Sequence, residues 1–311
     1  MLNYGRLIFG GLFLFALFPA ATFAGGSIGV DYLSSEIRVA GFRESETEIE
    51  SSGPGFSLSF DLGERWAVSL SHSSVGSDGA KQTSTVEHIS VEVESESTSN
   101  GLGLSYYGDN FWAGVRYRQS EDEQQVIGFS RRNSALTADI RQQQESGVLS
   151  FEVGRDWLLG NWSPALSVSL SRQELDIERV EQIDNLNLST LEGLQESLEG
   201  VDVGISASLA YYFQLSDRVL LAPSLGFYHQ TNISGDVSGL AAYSQSRGDR
   251  SFRASQDYRE KLNAPENASV DFGINLLAGD WLMSLGVFKS LSERRGQENN
   301  ASWFAGLSYS F

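Results

Sequence analysis

The chain has 311 residues, a formal net charge of −18 and no cysteine. That acidity argues against a nucleic-acid partner, and the absence of thiols excludes a disulfide framework and any thiolate centre. Past residue 24 no apolar run approaches the ~20 residues of a spanning helix, which excludes a helical inner-membrane protein.

In chain order, residues 1–24 read as a secretory signal peptide. Arg6 is their one charge, an apolar run covers 7–18, and Pro19 leads into Ala20-Ala21-Thr22-Phe23-Ala24. Thr22 and Ala24 fit the small positions before a cleavage site, so the cut is expected before Gly25. There is no lipobox cysteine for a lipid anchor. Residues 25–311 are then one domain.

From residue 28 onward, runs with apolar residues at every second position recur. Such a period puts the apolar side chains on one face of a strand. The outward positions are Ile28, Val30 and Tyr32, then Phe56, Leu58, Phe60 and Leu62, then Trp66, Val68 and Leu70. Leu102, Leu104 and Tyr106 follow, then Phe111, Ala113, Val115 and Tyr117, then Leu149, Phe151 and Val153. The next are Leu166, Val168 and Leu170, the long run from Val203 to Phe213, and Val219, Leu221, Leu225 and Phe227. Val270, Phe272, Ile274 and Leu276 precede Trp281, Met283, Leu285 and Val287. With the last run the total is about twelve, the even count of a bacterial barrel.

The connections alternate in length. Tight turns fall at Gly63-Glu64-Arg65, Gly108-Asp109-Asn110, Gly160-Asn161, Leu215-Ser216-Asp217 and Ala278-Gly279-Asp280, with the Gly, Asn and Asp that short hairpins need. Long polar stretches separate them, at 40–53, 75–98, 119–146, 173–200, 230–266 and 290–299. Trp66, Phe111, Trp162 and Trp281 directly follow four of the turns, where amphipathic rings suit a periplasmic girdle. The final run, 303–311, has Trp303, Ala305, Leu307, Tyr309 and Phe311 on one face and ends on an aromatic residue. A soluble β-sandwich would also alternate, but it has no regular short–long succession of loops and no use for that ending. The expected fold is all-β: a transmembrane antiparallel up-and-down barrel with short periplasmic turns and long extracellular loops.

The intervening, inward positions are small or polar, as in Ser163, Ala165, Ser167, Ser169 and Ser171. Asp31, Asp61, Arg116, Arg118, Glu152, Asp156, Asp202 and Asp271 share that parity. A charge on the lipid face near the midplane costs ~2–4 kcal/mol, so these residues are expected in the lumen, with the arginines meeting some of the carboxylates. Leu188, Leu191, Leu194 and Leu198 follow helical spacing, and Ser189 with Glu192 fits a capping box. Residues 185–199 are therefore expected as a short helix in a surface loop, with narrowing of the pore as the alternative.

The closing strand, with Trp303, Leu307, Tyr309 and Phe311, resembles the terminal signature strand of Gram-negative outer-membrane barrels. That resemblance implies recognition by the barrel-assembly machinery and contact with outer-membrane lipid and lipopolysaccharide. Both termini and the strand count resemble the barrel domain of the autotransporters. The first strand begins near Ser27, without a passenger or linker helix ahead of it. The expectation is a solitary autotransporter-type barrel that secretes no passenger of its own.

Candidate chemistry is sparse. His72 and Ser74 form a His-x-Ser pair on the outward face of one run, which resembles the pair carried by the outer-membrane phospholipase. A serine beside a histidine base can attack an acyl ester. The Asn-Gly context after that family's serine is missing, since Val75 follows Ser74, and the sequence identifies no third, orienting residue. No cofactor and no defined metal site are expected, because the three histidines are scattered. The alternating runs Glu44, Glu46, Glu48 and Glu50, and Glu92, Glu94 and Glu96, read as a solvated acidic rim that at a pore mouth favours cations. The expected function is an outer-membrane barrel acting as a small cation-preferring pore. The alternatives are surface adhesion through acidic loops and, behind it, a lipid-active hydrolase.

Overall fold

The computed structural model describes residues 23–40, 46–83, 89–109, 111–130, 136–185, 188–238, 266–291 and 297–311. Residues 1–22 of the expected signal peptide lie outside them, whereas the expected cleavage point before Gly25 falls within the described residues. Among the described residues there is no helix. The strands are β1 (Phe23–Ala40), β2 (Glu46–Leu62), β3 (Trp66–Thr83), β4 (Ile89–Tyr107), β5 (Trp112–Ser130), β6 (Leu136–Asp156), β7 (Trp162–Asn185) and β8 (Leu188–Tyr211). There follow β9 (Phe213–Ser216), β10 (Val219–Ser238), β11 (Glu266–Ala278), β12 (Trp281–Ser290) and β13 (Gln297–Ser310). The short β9 continues β8 past Tyr212 and pairs with the same neighbour, β10. The wall therefore has twelve staves.

Every pairing is antiparallel between neighbours in sequence, and the sheet closes where β1 meets β13, Ser27 opposite Ser310. Closure removes the edges that would leave backbone groups unpaired in an apolar solvent. Gly63, Gly160 and Gly279 sit at φ 74°, 65° and 63° in three of the tight turns. At those left-handed angles a Cβ would be strained.

Apolar burial is inverted relative to a soluble domain. Among the described residues Ala67 and Ala222 are the buried apolar ones, while Val30, Phe151, Val168, Ile205, Phe272 and Leu285 stand exposed on the outer wall. A contiguous apolar belt around the whole circumference requires an apolar solvent. At the end with the tight turns the belt closes with ring clusters. Trp66 packs on Tyr106 at 4.9 Å and Tyr106 on Phe111 at 5.7 Å. Trp162, Tyr211 and Phe213 form a second cluster, and Trp281 with Tyr309 a third.

The other end corrects two sequence expectations. Where they are described, the stretches expected as long loops at 75–98, 119–146 and 173–200 are largely strand, while 239–265 lie outside the described residues. β7 and β8 each run for 24 residues, well beyond the roughly 9–11 needed to cross a bilayer. On β7 the outward face passes from Leu166, Val168 and Leu170 to Arg172, Glu174, Asp176 and Glu178. On β5 it passes from Val115 and Tyr117 to Gln119, Glu121 and Glu123. Polarity there marks the end of the apolar solvent, while the ladder continues. The described part of the expected helix at 185–199, Asn185 and residues 188–199, is likewise strand, with Asn185 opposite Leu188, Gln182 opposite Leu191, Arg179 opposite Leu194 and Leu175 opposite Leu198. Pairing with β7 and β10 supplies backbone partners along this stretch, and that tertiary ladder overrides a local helical spacing.

Candidate functional site: the barrel lumen

Register decides which side chains face inward. On β3, β4 and β5 the inward rows contain Ser69, Ser71 and Ser73, then Ser99, Gly101 and Gly103, then Arg116 and Arg118. Serine hydroxyls lie over the glycines of the next strand, so that a Cβ at Gly29 would meet Ser57 Oγ at 2.6 Å. The same device lays two acids flat. Asp31 of β1 leans over Gly55 of β2, and Asp271 of β11 leans over Gly226 of β10. Missing Cβ atoms let both carboxylates run along the wall instead of across the lumen.

Asp31, Arg116 and Arg118 line one chamber of about 550 Å³, together with Leu33, Phe304 and Ser71. Leu33 and Phe304 correct the expectation that inward positions are uniformly small or polar. Phe304 fits because Gly286 beside it has no side chain. The expected arginine–carboxylate pairs do not form: Arg118 Nε donates to Ser99 Oγ at 2.7 Å, and among the described residues no ion pair joins Arg116 or Arg118 to an acid. The register of the flanking strands explains the outcome. The inward neighbours of Arg116 across the ladder are Gly103 and Ser150, and those of Arg118 are Gly101 and Val148.

The wall from β6 to β10 carries a second network. Ser167 Oγ donates to Glu152 and meets Ser206 Oγ at 2.6 Å. Asp202 is 4% exposed. It accepts from Gln173 Nε2 and from Gln230 Nε2, the latter at 2.6 Å, and Tyr228 donates to Gln230 Oε1 at 2.8 Å. A buried polar group needs such partners to offset its lost hydration. Asp61 stands opposite Gly25 and Ala67, and Asp156 opposite Ala165, both near the ends of their strands at the tight turns. Cations thus sit on β5 and anions on β1, β2, β6, β8 and β11.

The remaining sequence candidates lie elsewhere. Trp66, Phe111, Trp162 and Trp281 are exposed on the outer wall at the tight-turn end. Trp303 and Leu307 face outward on β13, where Trp303 lies 5.7 Å from Tyr32. Phe311 is exposed, and its backbone exchanges two hydrogen bonds with Gly26, at 3.0 and 3.1 Å. Glu94 and Glu96 take the outward parity of Leu102 and Leu104, so this part of the acidic run faces away from the lumen. The side chains of Glu44, Glu46, Glu48 and Glu50 lie outside the described residues. His72 and Ser74 share the outward face of β3. His72 Nδ1 lies 2.9 Å from Oδ1 of Asn100, its partner across the ladder on β4. Asn100 is the residue that the sequence did not reveal. It stands 28 positions from His72, and a strand register is the signal that finds it.

No protein-family model and no curated protein matches the chain. Among solved structures it is similar to the translocator domain of the autotransporter NalP from Neisseria meningitidis, with a TM-score of 0.62 and 13% identity over 98% of this chain and 96% of that one. It is also similar to the beta domain of the Bordetella autotransporter Brka, with a TM-score of 0.56 and 11% identity over 91% and 98% of the two chains. The fold is that of an autotransporter-type translocator barrel.

Proposed function

We propose that this chain is a bacterial outer-membrane barrel whose lumen is a narrow, water-filled, cation-preferring pore. The observation that carries the reading is the imbalance of inward charge. Asp31, Asp61, Glu152, Asp156, Asp202 and Asp271 take inward positions against Arg116 and Arg118. Ser167 donates to Glu152, and Gln173 and Gln230 donate to Asp202; acids lining a pore select cations. Export through a cleaved signal peptide and assembly through the aromatic closing strand fit this destination. The rings of Trp66, Phe111, Trp162 and Trp281 suit a periplasmic girdle. Single-channel recording of the refolded barrel in a planar bilayer tests the pore. Discrete steps with a reversal potential of cationic sign under a salt gradient are expected. A folded but silent barrel, or anion selectivity, refutes it.

A second reading, surface interaction, is favoured by the outward acids on the strand extensions: Glu121, Glu123, Glu145, Glu174, Asp176 and Glu178. Their few ion pairs, such as Arg172 with Glu174 and Glu199 at 3.1 Å, are solvent-exposed and contribute little stability. A carboxylate-rich skirt beyond the membrane suits a cationic partner. Binding of the barrel to polycationic surfaces that survives neutralisation of these acids overturns this reading.

A further inference from the structure

We infer that Ser74, His72 and Asn100 form a nucleophile, base and orienting group on the outer wall, set to hydrolyse an acyl ester of a membrane amphiphile. This goes beyond the pore and does not depend on it.

Three observations meet at this point of the wall. The first is the bond between His72 Nδ1 and Asn100 Oδ1 at 2.9 Å. A side-chain carbonyl oxygen accepts only, so this contact holds the proton on Nδ1 and leaves Nε2 unprotonated as a base. The second is parity. Ser74 is two residues on from His72 along one strand face, ~7 Å between Cα atoms, with both side chains outward. Among the described residues no hydrogen bond joins Ser74 to His72. Rotation about the two χ1 angles brings a hydroxyl and an imidazole at this spacing together, and such bonds tighten when substrate arrives.

The third observation is the surroundings of Ser74. On β2 and β3, Gly55 stands opposite Ser73 and Ser52 opposite Gly76, which sets Pro54 across from Ser74. Proline has no N–H to give the ladder, and Gly53 approaches the Ser74 carbonyl where a Cβ would overlap it. The sheet is irregular at this serine. An outer groove of about 1630 Å³ begins there, with Tyr32, Pro54 and Ser74 on one side and Glu96, Glu123 and Arg141 on the other. Phe56 stands opposite His72, and below it the same outward face continues as Leu70 and Val68 beside Leu58 and Phe60. The site thus straddles the edge of the apolar belt. Acyl chains are accommodated below, the ester sits at the level of His72 and Ser74, and a headgroup enters the groove. Its carboxylates favour a headgroup that carries an ammonium.

In the first step Ser74 Oγ attacks the ester carbonyl carbon while its proton passes to His72 Nε2. The tetrahedral adduct collapses with cleavage of the ester C–O bond, and the leaving alcohol takes that proton. A water molecule then gives a proton to Nε2 and adds its oxygen to the acyl carbon. The Ser74 Oγ–acyl bond breaks, and Oγ recovers the proton. The sum is ester plus water to carboxylic acid plus alcohol. Asn100 is a positioning residue, since it acts through His72.

The test uses the full mature barrel, its folding checked by heat-modifiable mobility. Fatty-acid release is measured from phosphatidylethanolamine vesicles and, separately, from lipopolysaccharide vesicles. Release from either supports the site, and the active arm identifies the source of the ester. Ser74→Ala and His72→Ala are expected to reduce it by at least ~10³-fold. Asn100→Ala is expected to reduce kcat by on the order of 10²-fold or more with KM little changed, and Asn100→Asp, which still accepts from Nδ1, to restore most of it. A fluorophosphonate ester is expected to label Ser74 in the unmutated barrel. No release from either vesicle, full activity in folded Ser74→Ala, or labelling at a different serine each overturns the inference.

Discussion

Two residues three positions apart on one strand test the lipid-facing parity. Ile205 of β8 is 51% exposed on the outer wall, while Ser208 takes an inward position opposite Gly226 and Ala165. Ile205 lies six residues from Tyr211 in the ring cluster. At ~3.3 Å per residue and a strand tilt of ~40°, it stands ~15 Å above that ring. That is close to the middle of an apolar band ~25 Å tall. Ile205→Arg therefore places a guanidinium near the midplane, at a cost of ~2–4 kcal/mol. At 1.4 kcal/mol per decade the folded-to-unfolded ratio falls roughly 30- to 700-fold. Ser208→Arg puts the same group into the lumen beside Asp271, which lies over Gly226, and is expected to cost under ~1 kcal/mol. Reversible urea unfolding in phospholipid vesicles, followed by tryptophan fluorescence, gives both values. Equal costs, or a greater cost for Ser208→Arg, would mean that the assigned faces are wrong.

Other outcomes follow from the same geometry. Joint replacement of Arg116 and Arg118 by Ala should increase the cation-to-anion permeability ratio, read as a reversal-potential shift, because the chamber then keeps Asp31 without opposing charge. Gly26→Val should destabilise the barrel by ~1–3 kcal/mol in urea titrations, since a Cβ at Gly26 meets the Ser59 backbone oxygen at 2.5 Å and the Phe311 ring at 2.9 Å. An unchanged midpoint would refute that packing. Asp139, on the extension of β6, titrates below its ordinary value of 3.8. Desolvation is the largest single influence and raises it, but hydrogen bonds from Arg141 and Gln125 and the Arg141 charge together outweigh it. Its contribution is therefore complete above the unfolded value and lost as pH falls through the lower folded value. Hydrogen-exchange protection at the β5–β6 extension should fall below pH ~3.8, and Arg141→Ala should move that loss to higher pH.

Parity along the chain was legible wherever lipid is the outer solvent. Two faces of opposite polarity leave no alternative register, and that is why Phe56, Val68, Leu104 and Ile205 all take the outward positions read from the sequence. Beyond the belt both faces meet water, and the same code weakens. At 185–199 four leucines happen to fit a helical period, and only the ladder with β7 resolves the choice. The arginines failed differently. Parity placed them inward, yet a charge partner depends on the register of the facing strands, and that register set Gly101 and Gly103 beside them instead of acids. Asn100 escaped for the same reason, since its link to His72 exists only once β3 and β4 are aligned.

That alignment also separates the pore from the outer-wall site. His72, Ser73 and Ser74 are consecutive, but Ser73 lies on the lumen side with Ser71 and Ser99, and its two neighbours face outward. A substitution at Ser73 acts on the aqueous chamber wall. One at Ser74 acts on the belt edge, on the other side of a sheet one residue thick. Ser73→Ala should therefore change conductance and leave ester hydrolysis intact, and Ser74→Ala should do the reverse. If both measurements moved together in both variants, the cause would be a shared disturbance of the β2–β3 irregularity at Pro54, and two independent sites on opposite faces of β3 would be the wrong description.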